Sequence, residues 1–235
     1  RRHTRCADVT GVQTCALPIY NVLETFTSKV GQFVEVMNLE EFGNALFIDH
    51  EIQVAEKDEK IYSSTFFKSS YDLSKKNNNV AIIGGGDGGV ARECLENNTD
   101  YIDWYELDPE IVETCYKHLP KVCSKVKKSN SVNTFWGDAF ESIKSVEDSK
   151  YDKIFVDLND DQYCVDLAKK NMKGLQRILK PGGVITAQVG SKDKKPKQVE
   201  NWCKILEKSF GNVTVSGAHI PSFDCNWNFA SSILK

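Results

Sequence analysis

No apolar run in this 235-residue chain approaches the ~20 residues needed to cross a bilayer, so no segment reads as a membrane-spanning helix. Positive charge is not in excess either. Lys and Arg number 30 against 33 Asp and Glu, a net −3. That balance argues against nucleic acid or an anionic membrane surface as the main partner and permits a cationic substrate. There is no CxxC pair and no His-rich spacing, so the sequence gives no support to a metal site, and none is expected. From Tyr20 onward the six cysteines (Cys94, Cys115, Cys123, Cys164, Cys203, Cys225) are scattered. In an α/β chain such cysteines read as reduced, buried thiols of a cytoplasmic protein. Internal repeats and low-complexity tracts are absent as well.

Residues 1–19 fit nothing that follows them. The stretch Val9-Thr10-Gly11-Val12-Gln13-Thr14-Cys15-Ala16-Leu17-Pro18-Ile19 resembles a translated DNA-sequencing adapter. It also lacks the long apolar core of a signal peptide, so it is set aside from fold reasoning. A genuine basic targeting arm is the alternative. Without Arg1, Arg2, Arg5 and Asp8, 27 basic and 32 acidic residues remain, a net −5. The native N-terminus is expected to be missing. The C-terminus, Ser231-Ser232-Ile233-Leu234-Lys235, is expected to be truncated.

What the chain does have is Ile82-Ile83-Gly84-Gly85-Gly86-Asp87-Gly88-Gly89. It closes the apolar strand Val80–Ile83 and opens a helical stretch, the strand–glycine loop–helix layout of a nucleotide-binding turn. Asp87 would repel a pyrophosphate, so the loop suits a ligand with a positive or neutral end. Downstream, strands at 80–84, 101–106, 132–135, 152–157 and 183–189 alternate with helices at 88–97, 109–118, 138–145, 162–179 and 196–209. That alternation predicts an α/β, doubly wound, Rossmann-like (methyltransferase-type), mostly parallel sheet. Lys180-Pro181-Gly182-Gly183 reads as a turn, and Val213–Val215 with Trp227–Ile233 as an antiparallel edge hairpin. Lys192 to Lys197 reads as a solvated basic loop. Before the sheet, residues 32–56 read as a small antiparallel β unit. Asp58 to Tyr71 reads as a helix with Ile61, Tyr62, Thr65 and Phe66 on one face. Three segments are therefore expected: the non-native residues 1–19, an N-terminal β domain with its linking helix over 20–75, and the Rossmann-like domain over 76–235.

In such sheets ligands lie outside the carboxyl ends of the strands, and acidic residues recur there. Asp87 follows the first strand. Glu106 ends the second, 19 residues later, with Asp108 nearby; this is the usual spacing of a carboxylate that binds ribose hydroxyls. Gly137-Asp138-Ala139 follows the third, where a carboxylate could take an adenine amino group. Asp157 ends the fourth, followed by Asp160 and Asp161. Any one of these could be a helix N-cap, and Asp138 suits that role well. Four on successive strand ends are harder to assign to capping alone.

Taken together, these residues resemble the polyamine aminopropyltransferases, the spermidine and spermine synthases. The matching segments are Phe42-Gly43-Asn44, Gln53, Asp58-Glu59, Tyr62, the GGGDGG run, Glu106-Leu107-Asp108, Gly137-Asp138, Asp157 with Asp160, Gln188 and Ile220-Pro221-Ser222. The resemblance implies transfer of an aminopropyl group from decarboxylated S-adenosylmethionine to putrescine or a related polyamine, releasing 5′-methylthioadenosine. The donor is a co-substrate, and no cofactor or metal is implied. Asp157 and Tyr62 would be catalytic. Gln32, Gln53, Gly84, Gly86, Asp87, Gly88, Glu106, Asp138 and Ala139 would bind the donor. Asp160, Asp161, Gln188 and Phe223 would bind the acceptor. Leu107 and Ile48 would be wall. The chain departs from the family at Ser63-Ser64, where Gln-Glu or His-Glu is usual, and at Asp157-Leu158-Asn159-Asp160-Asp161, whose start is more reminiscent of spermine synthases. It departs again at Phe223, where tyrosine is usual. These departures keep two alternatives in play, a non-catalytic regulatory paralogue and an S-adenosylmethionine-dependent methyltransferase. A homodimer or homotetramer is expected by family analogy.

Overall fold

The computed structural model describes residues 20–235 in full. Before them it describes only the backbone of an antiparallel hairpin, β1 (Cys6–Val9) and β2 (Val12–Cys15). The adapter-like origin assigned to residues 1–19 therefore lies largely outside the described residues.

Four antiparallel strands come first, in sequential order: β3 (Tyr20–Thr27), β4 (Phe33–Leu39), β5 (Gly43–Ile48) and β6 (Glu51–Ala55). Strand β3 was not anticipated. Its side chains are largely exposed, which removes the clean apolar alternation of a half-buried strand. Helix α1 (Glu59–Tyr71) follows. Its buried side is Glu59, Ser63, Phe66, Phe67 and Ser70, which shares only Phe66 with the face expected from sequence, and Ile61 is 41% exposed. The reason is that the Glu59 and Ser63 side chains find partners there, the Ser63 hydroxyl donating to Glu59. Glu59 pairs with Arg92, and the Ser70 carbonyl receives a hydrogen bond from the buried Lys153. Apolar periodicity alone could not see those contacts.

The second sheet has seven strands: β7 (Asn79–Gly84), β8 (Tyr101–Glu106), β9 (Val132–Trp136), β10 (Tyr151–Asp157), β11 (Leu179–Gly190), β12 (Val213–Ile220) and β13 (Cys225–Ile233). Their spatial order is β12-β13-β11-β10-β7-β8-β9. The five strands β7 to β11 are parallel, and β13 and β12 close one edge antiparallel. Helices α2 (Gly89–Glu96), α3 (Pro109–His118), α5 (Ala139–Ser142), α6 (Gln162–Ile178) and α7 (Pro196–Phe210) make the crossovers. Between α3 and β9 lies α4 (Pro120–Lys127), which its lysines had masked. Its buried residues Val122, Cys123 and Val126 form a single turn-spaced stripe.

The central strands read as unbroken apolar runs because both faces are covered. Side chains alternate along β7. Val80 and Ile82 pack with Phe66, Val90, Trp104 and Phe155 on one side, while Ala81 and Ile83 pack with Val165, Ala168 and Trp202 on the other. A third cluster joins Val34, Val36, Leu46 and Val54 of the small sheet to Ile111 and Cys115 of α3, Val122 of α4 and Leu119 between the two helices. That seam sets the small sheet over the mouth of the large one. Lys180–Gly183 is absorbed inside β11 as a register irregularity, with Tyr151 opposite Leu179 but Lys153 opposite Val184. No helix among the described residues is long and apolar enough to cross a membrane.

Candidate active site

Strands β7 and β10 are neighbours in the sheet although two strands intervene between them in sequence. Their crossover helices leave in opposite directions, which opens a crevice at their carboxyl ends. A cavity of about 570 Å3 occupies that crevice.

The glycines of the loop are there because other backbone comes close. Gly84 (φ +79°) and Gly85 (φ +69°) adopt the left-handed region that side chains disfavour. A Cβ on Gly84 would press into the Asp157 carbonyl oxygen, and one on Gly85 would lie 2.9 Å from Asp157 Oδ2. The Gly85 N–H donates to that same carbonyl at 2.9 Å, and the indole N–H of Trp104 donates to the Gly84 carbonyl at 2.8 Å. The turn is thus bolted to the ends of β8 and β10. Gly84, Gly85, Gly86 and Asp87 all line the cavity. Gly88 does not reach it: it lies behind the loop, where an added Cβ would sit 3.3 Å from Cys123 Cβ and 3.6 Å from the Trp104 ring.

Asp87 takes the Gly89 N–H on Oδ1 at 2.6 Å, which orients its carboxylate at the start of α2. Burial, reinforced by the charges of Asp157 and Glu59, raises its pKa well above the usual carboxylate range. Behind it a buried group pairs helices α1 and α2. Arg92 grips Glu59 at 2.6 and 3.1 Å and Glu93 at 2.8 Å, while the Ser63 hydroxyl also donates to Glu59.

Glu106 is almost wholly buried, and burial lifts its pKa to about 7. Its Oε1 accepts the Asp108 N–H at 2.9 Å. Asp108 in turn caps α3 by accepting the Glu110 N–H at 2.9 Å. Asp138 caps α5 through the N–H groups of Phe140 and Glu141 at 2.8 and 3.3 Å, yet together with Ala139 it also lines the cavity. Capping and cavity lining therefore coexist there. Gln32 from the turn before β4, Ile48 and Gln53 from the small sheet, and Leu107 complete this side.

At the other side the Tyr62 hydroxyl donates to Asp157 Oδ1 at 2.6 Å. Burial pushes Asp157 up to about 6, and the Tyr62 hydrogen bond works against that rise. Tyr62 is raised well above its ordinary value, first by burial and then by the Asp157 charge. An aromatic wall surrounds the pair: the Tyr62 ring lies edge-on to Phe223 at 6.1 Å and to Phe229 at 5.0 Å, and Phe223 is edge-on to Trp227 at 5.0 Å.

Beyond them come the residues assigned to an acceptor. Asp160 Oδ2 is paired with Lys195 Nζ at 2.9 Å. Asp161 caps α6 by accepting the Cys164 N–H at 2.7 Å. Gln188 donates to the Leu158 carbonyl and accepts the Gly190 N–H at 3.1 Å, so its amide fastens β11 to the loop after β10. All three line the cavity, as does Phe223.

Two groups escaped the sequence reading. Trp227 was read only as the start of a strand, although it lines the cavity. Lys194 and Lys195 were read as solvated surface, but they too line it, Lys194 Nζ donating to the Phe223 carbonyl at 2.7 Å. Their position just after β11, at the carboxyl edge of the sheet, was the available signal.

A Spermine/spermidine synthase domain family model matches residues 59–233. The polyamine aminopropyltransferase of Korarchaeum cryptofilum (strain OPF8) is 31% identical over 214 residues, covering 90% of this chain and 66% of that protein. The one from Prochlorococcus marinus (strain NATL1A) is 31% identical over 210 residues, covering 85% and 72%. The one from Methanocaldococcus jannaschii is 30% identical over 209 residues, covering 87% and 71%. The chain thus spans between 66% and 72% of the length of these relatives. Among solved structures, a spermidine synthase in complex with the transition-state analogue AdoDATO superposes with a TM-score of 0.85 at 19% identity, covering 91% of this chain and 74% of that one. The spermidine synthase from Thermotoga maritima gives 0.82 at 19% identity, covering 91% and 73%. At that identity the structural likeness speaks for the fold.

Proposed function

Because this chain belongs to the spermine/spermidine synthase family, we propose that it transfers an aminopropyl group from decarboxylated S-adenosylmethionine to putrescine or a related polyamine, releasing 5′-methylthioadenosine. The observation that carries the reading is the convergence of Asp87, Tyr62 and Asp157 at the junction of two halves of one cavity.

Glu106 and Asp138 line one half, where they would receive ribose hydroxyls and an adenine amino group. Asp87 would take the donor's ammonium. Beyond burial, the charges of Asp157 and Glu59 raise the Asp87 pKa, and an ammonium placed beside them offsets that repulsion. An intact donor would bring a carboxylate against Asp87, which disfavours it.

The reaction is a displacement at the carbon beside the sulfonium. The acceptor nitrogen forms the new C–N bond, the C–S bond breaks, and its electron pair leaves with sulfur as a neutral thioether. A neutral leaving group needs no metal to stabilise it. The acceptor must lose a proton, and its ammonium resembles that of lysine at ~10.4. Asp157, raised to about 6, is a better base than an ordinary aspartate, and Tyr62 fixes its orientation. The remaining mismatch is made up by positioning two reactants in one crevice. A cytoplasmic, reducing compartment suits the six free cysteines among the described residues, and a homodimer or homotetramer is proposed from the family likeness.

The test is release of methylthioadenosine from decarboxylated S-adenosylmethionine with putrescine, with spermidine or with no acceptor, alongside Asp157→Asn. Release that requires one amine and collapses in the variant supports the transferase and identifies its acceptor. Donor binding with no release under any acceptor contradicts it.

A further inference from the structure

The acceptor half of the cavity is largely occupied by the protein's own contacts. Asp161 is committed to the start of α6, both ends of the Gln188 amide hold backbone, and Phe223 offers no hydroxyl. Asp160 is the carboxylate left, and it already holds a primary ammonium: Lys195 Nζ lies 2.9 Å from Oδ2 and 3.4 Å from the Asp160 carbonyl oxygen. Among the described residues, Lys194 and Lys195 are the only cations on the cavity wall, against eight carboxylates. Lys194 is turned to the Phe223 carbonyl, which leaves Lys195 as the cation on Asp160.

We propose that Lys195 sets acceptor specificity by competing, as a tethered ammonium, with the distal ammonium of the acceptor for Asp160. The inference rests on the transferase reading above. A lysine head and the end of a diamine are the same chemical group, so they contend for the same oxygens. The pair is open to exchange, since the side chains of Lys195 and Asp160 are 51% and 30% exposed. An ion pair that exposed contributes at most a several-fold factor, and lysine's flexible stem lets it swing out. The consequence is a site that favours diamines over monoamines only weakly, and so accepts primary amines whose far end carries no charge.

The experiment compares KM for 1-aminobutane and 1,4-diaminobutane in the wild type, Lys195→Met, Asp160→Asn, the double variant and Lys197→Met. Methionine keeps most of the apolar stem and removes the head. Lys197 is exposed nearby and does not line the cavity, so it controls for general charge removal. The expected result is that Lys195→Met lowers the diamine KM about 3–5-fold relative to the monoamine. Lys197→Met is expected to leave the ratio alone, and Asp160→Asn to abolish the effect of Lys195→Met. A Lys195→Met ratio matching that of Lys197→Met, or an equal shift for both amines, overturns the proposal. Calorimetric titration of 1,4-diaminobutane with methylthioadenosine present reads the same competition without turnover. Tighter diamine binding in Lys195→Met with no product release would sink the transferase reading and keep this one. No diamine binding in either protein would overturn this one.

Discussion

The two halves of the cavity are built in different ways. On the donor side the polar groups are held by the main chain: Asp87 by Gly89 N–H, Glu106 by Asp108 N–H, and the glycine turn by the Asp157 carbonyl. These groups are oriented before any ligand arrives, which is how binding energy avoids being spent on ordering side chains. On the acceptor side, a flexible lysine holds Asp160, and the exposed Tyr163 and Asn159 stand nearby. The first half is fixed by backbone geometry; in the second, main chain also holds Asp161 and Gln188, but Asp160, the carboxylate left over, is held by a side chain that can exchange partners. In the proposed reading, the contrast assigns tight chemical selection to the donor and looser selection to the amine.

The largest expected effect comes from the junction of the halves. Asp157→Asn keeps the shape but removes the proposed proton acceptor, and kcat should fall by about 10²- to 10⁴-fold. Donor affinity, measured by calorimetry, should change far less. A comparable loss of donor binding would mean that the two halves are not separable.

Next in size is the glycine turn. Gly84→Ala places a methyl group in a left-handed residue and against the Asp157 carbonyl, so the chain should lose roughly 1–3 kcal/mol of stability by chemical denaturation. Gly182→Ala is the comparison, because it shares a positive φ of +75° but has open space around its Cβ. The excess loss in Gly84→Ala isolates the close approach of β10.

Why the halves were not equally legible in the sequence follows from the same contrast. Strands β7 and β10 announce themselves because burial on both faces demands continuous apolar residues, as in Val80–Ile83 and Ile154–Val156. The glycines around Asp87 mark close approach of backbone, and the spacing to Glu106 follows from the strand–helix–strand repeat. Lys195 carries no such local mark. Its contact with Asp160 joins residues 35 apart through a long side chain, and no periodicity encodes it. Helix α4 hid for a related reason: an eight-residue helix with three buried positions leaves little apolar pattern among its lysines.

A smaller effect should appear in the pH dependence. Asp157 must be ionised to accept a proton, so kcat/KM should rise with pH through about 6 and lose roughly tenfold per unit below it. For stability the sign is opposite. A carboxyl whose folded pKa is raised favours folding while protonated, and that contribution is lost as pH climbs toward the folded value. Glu106, raised to about 7, should therefore stabilise the ligand-free chain near pH 4 and cease to do so above pH 7. Glu106→Gln removes this slope. Unfolding curves for wild type and variant from pH 4 to 8 should converge at the acid end and separate in favour of the variant above pH 7. Parallel curves would show that Glu106 is not perturbed in the free protein.

In the proposed function the donor half selects charge through Asp87. The most direct measurement of that selection is calorimetric titration of decarboxylated and intact S-adenosylmethionine into the wild type and Asp87→Asn. The wild type should bind the decarboxylated donor at least tenfold more tightly, and the variant should lose most of that preference, since a charge-assisted contact contributes about 1.5–3 kcal/mol. Equal or tighter binding of intact S-adenosylmethionine by the wild type would contradict the claim and point to methyl transfer instead.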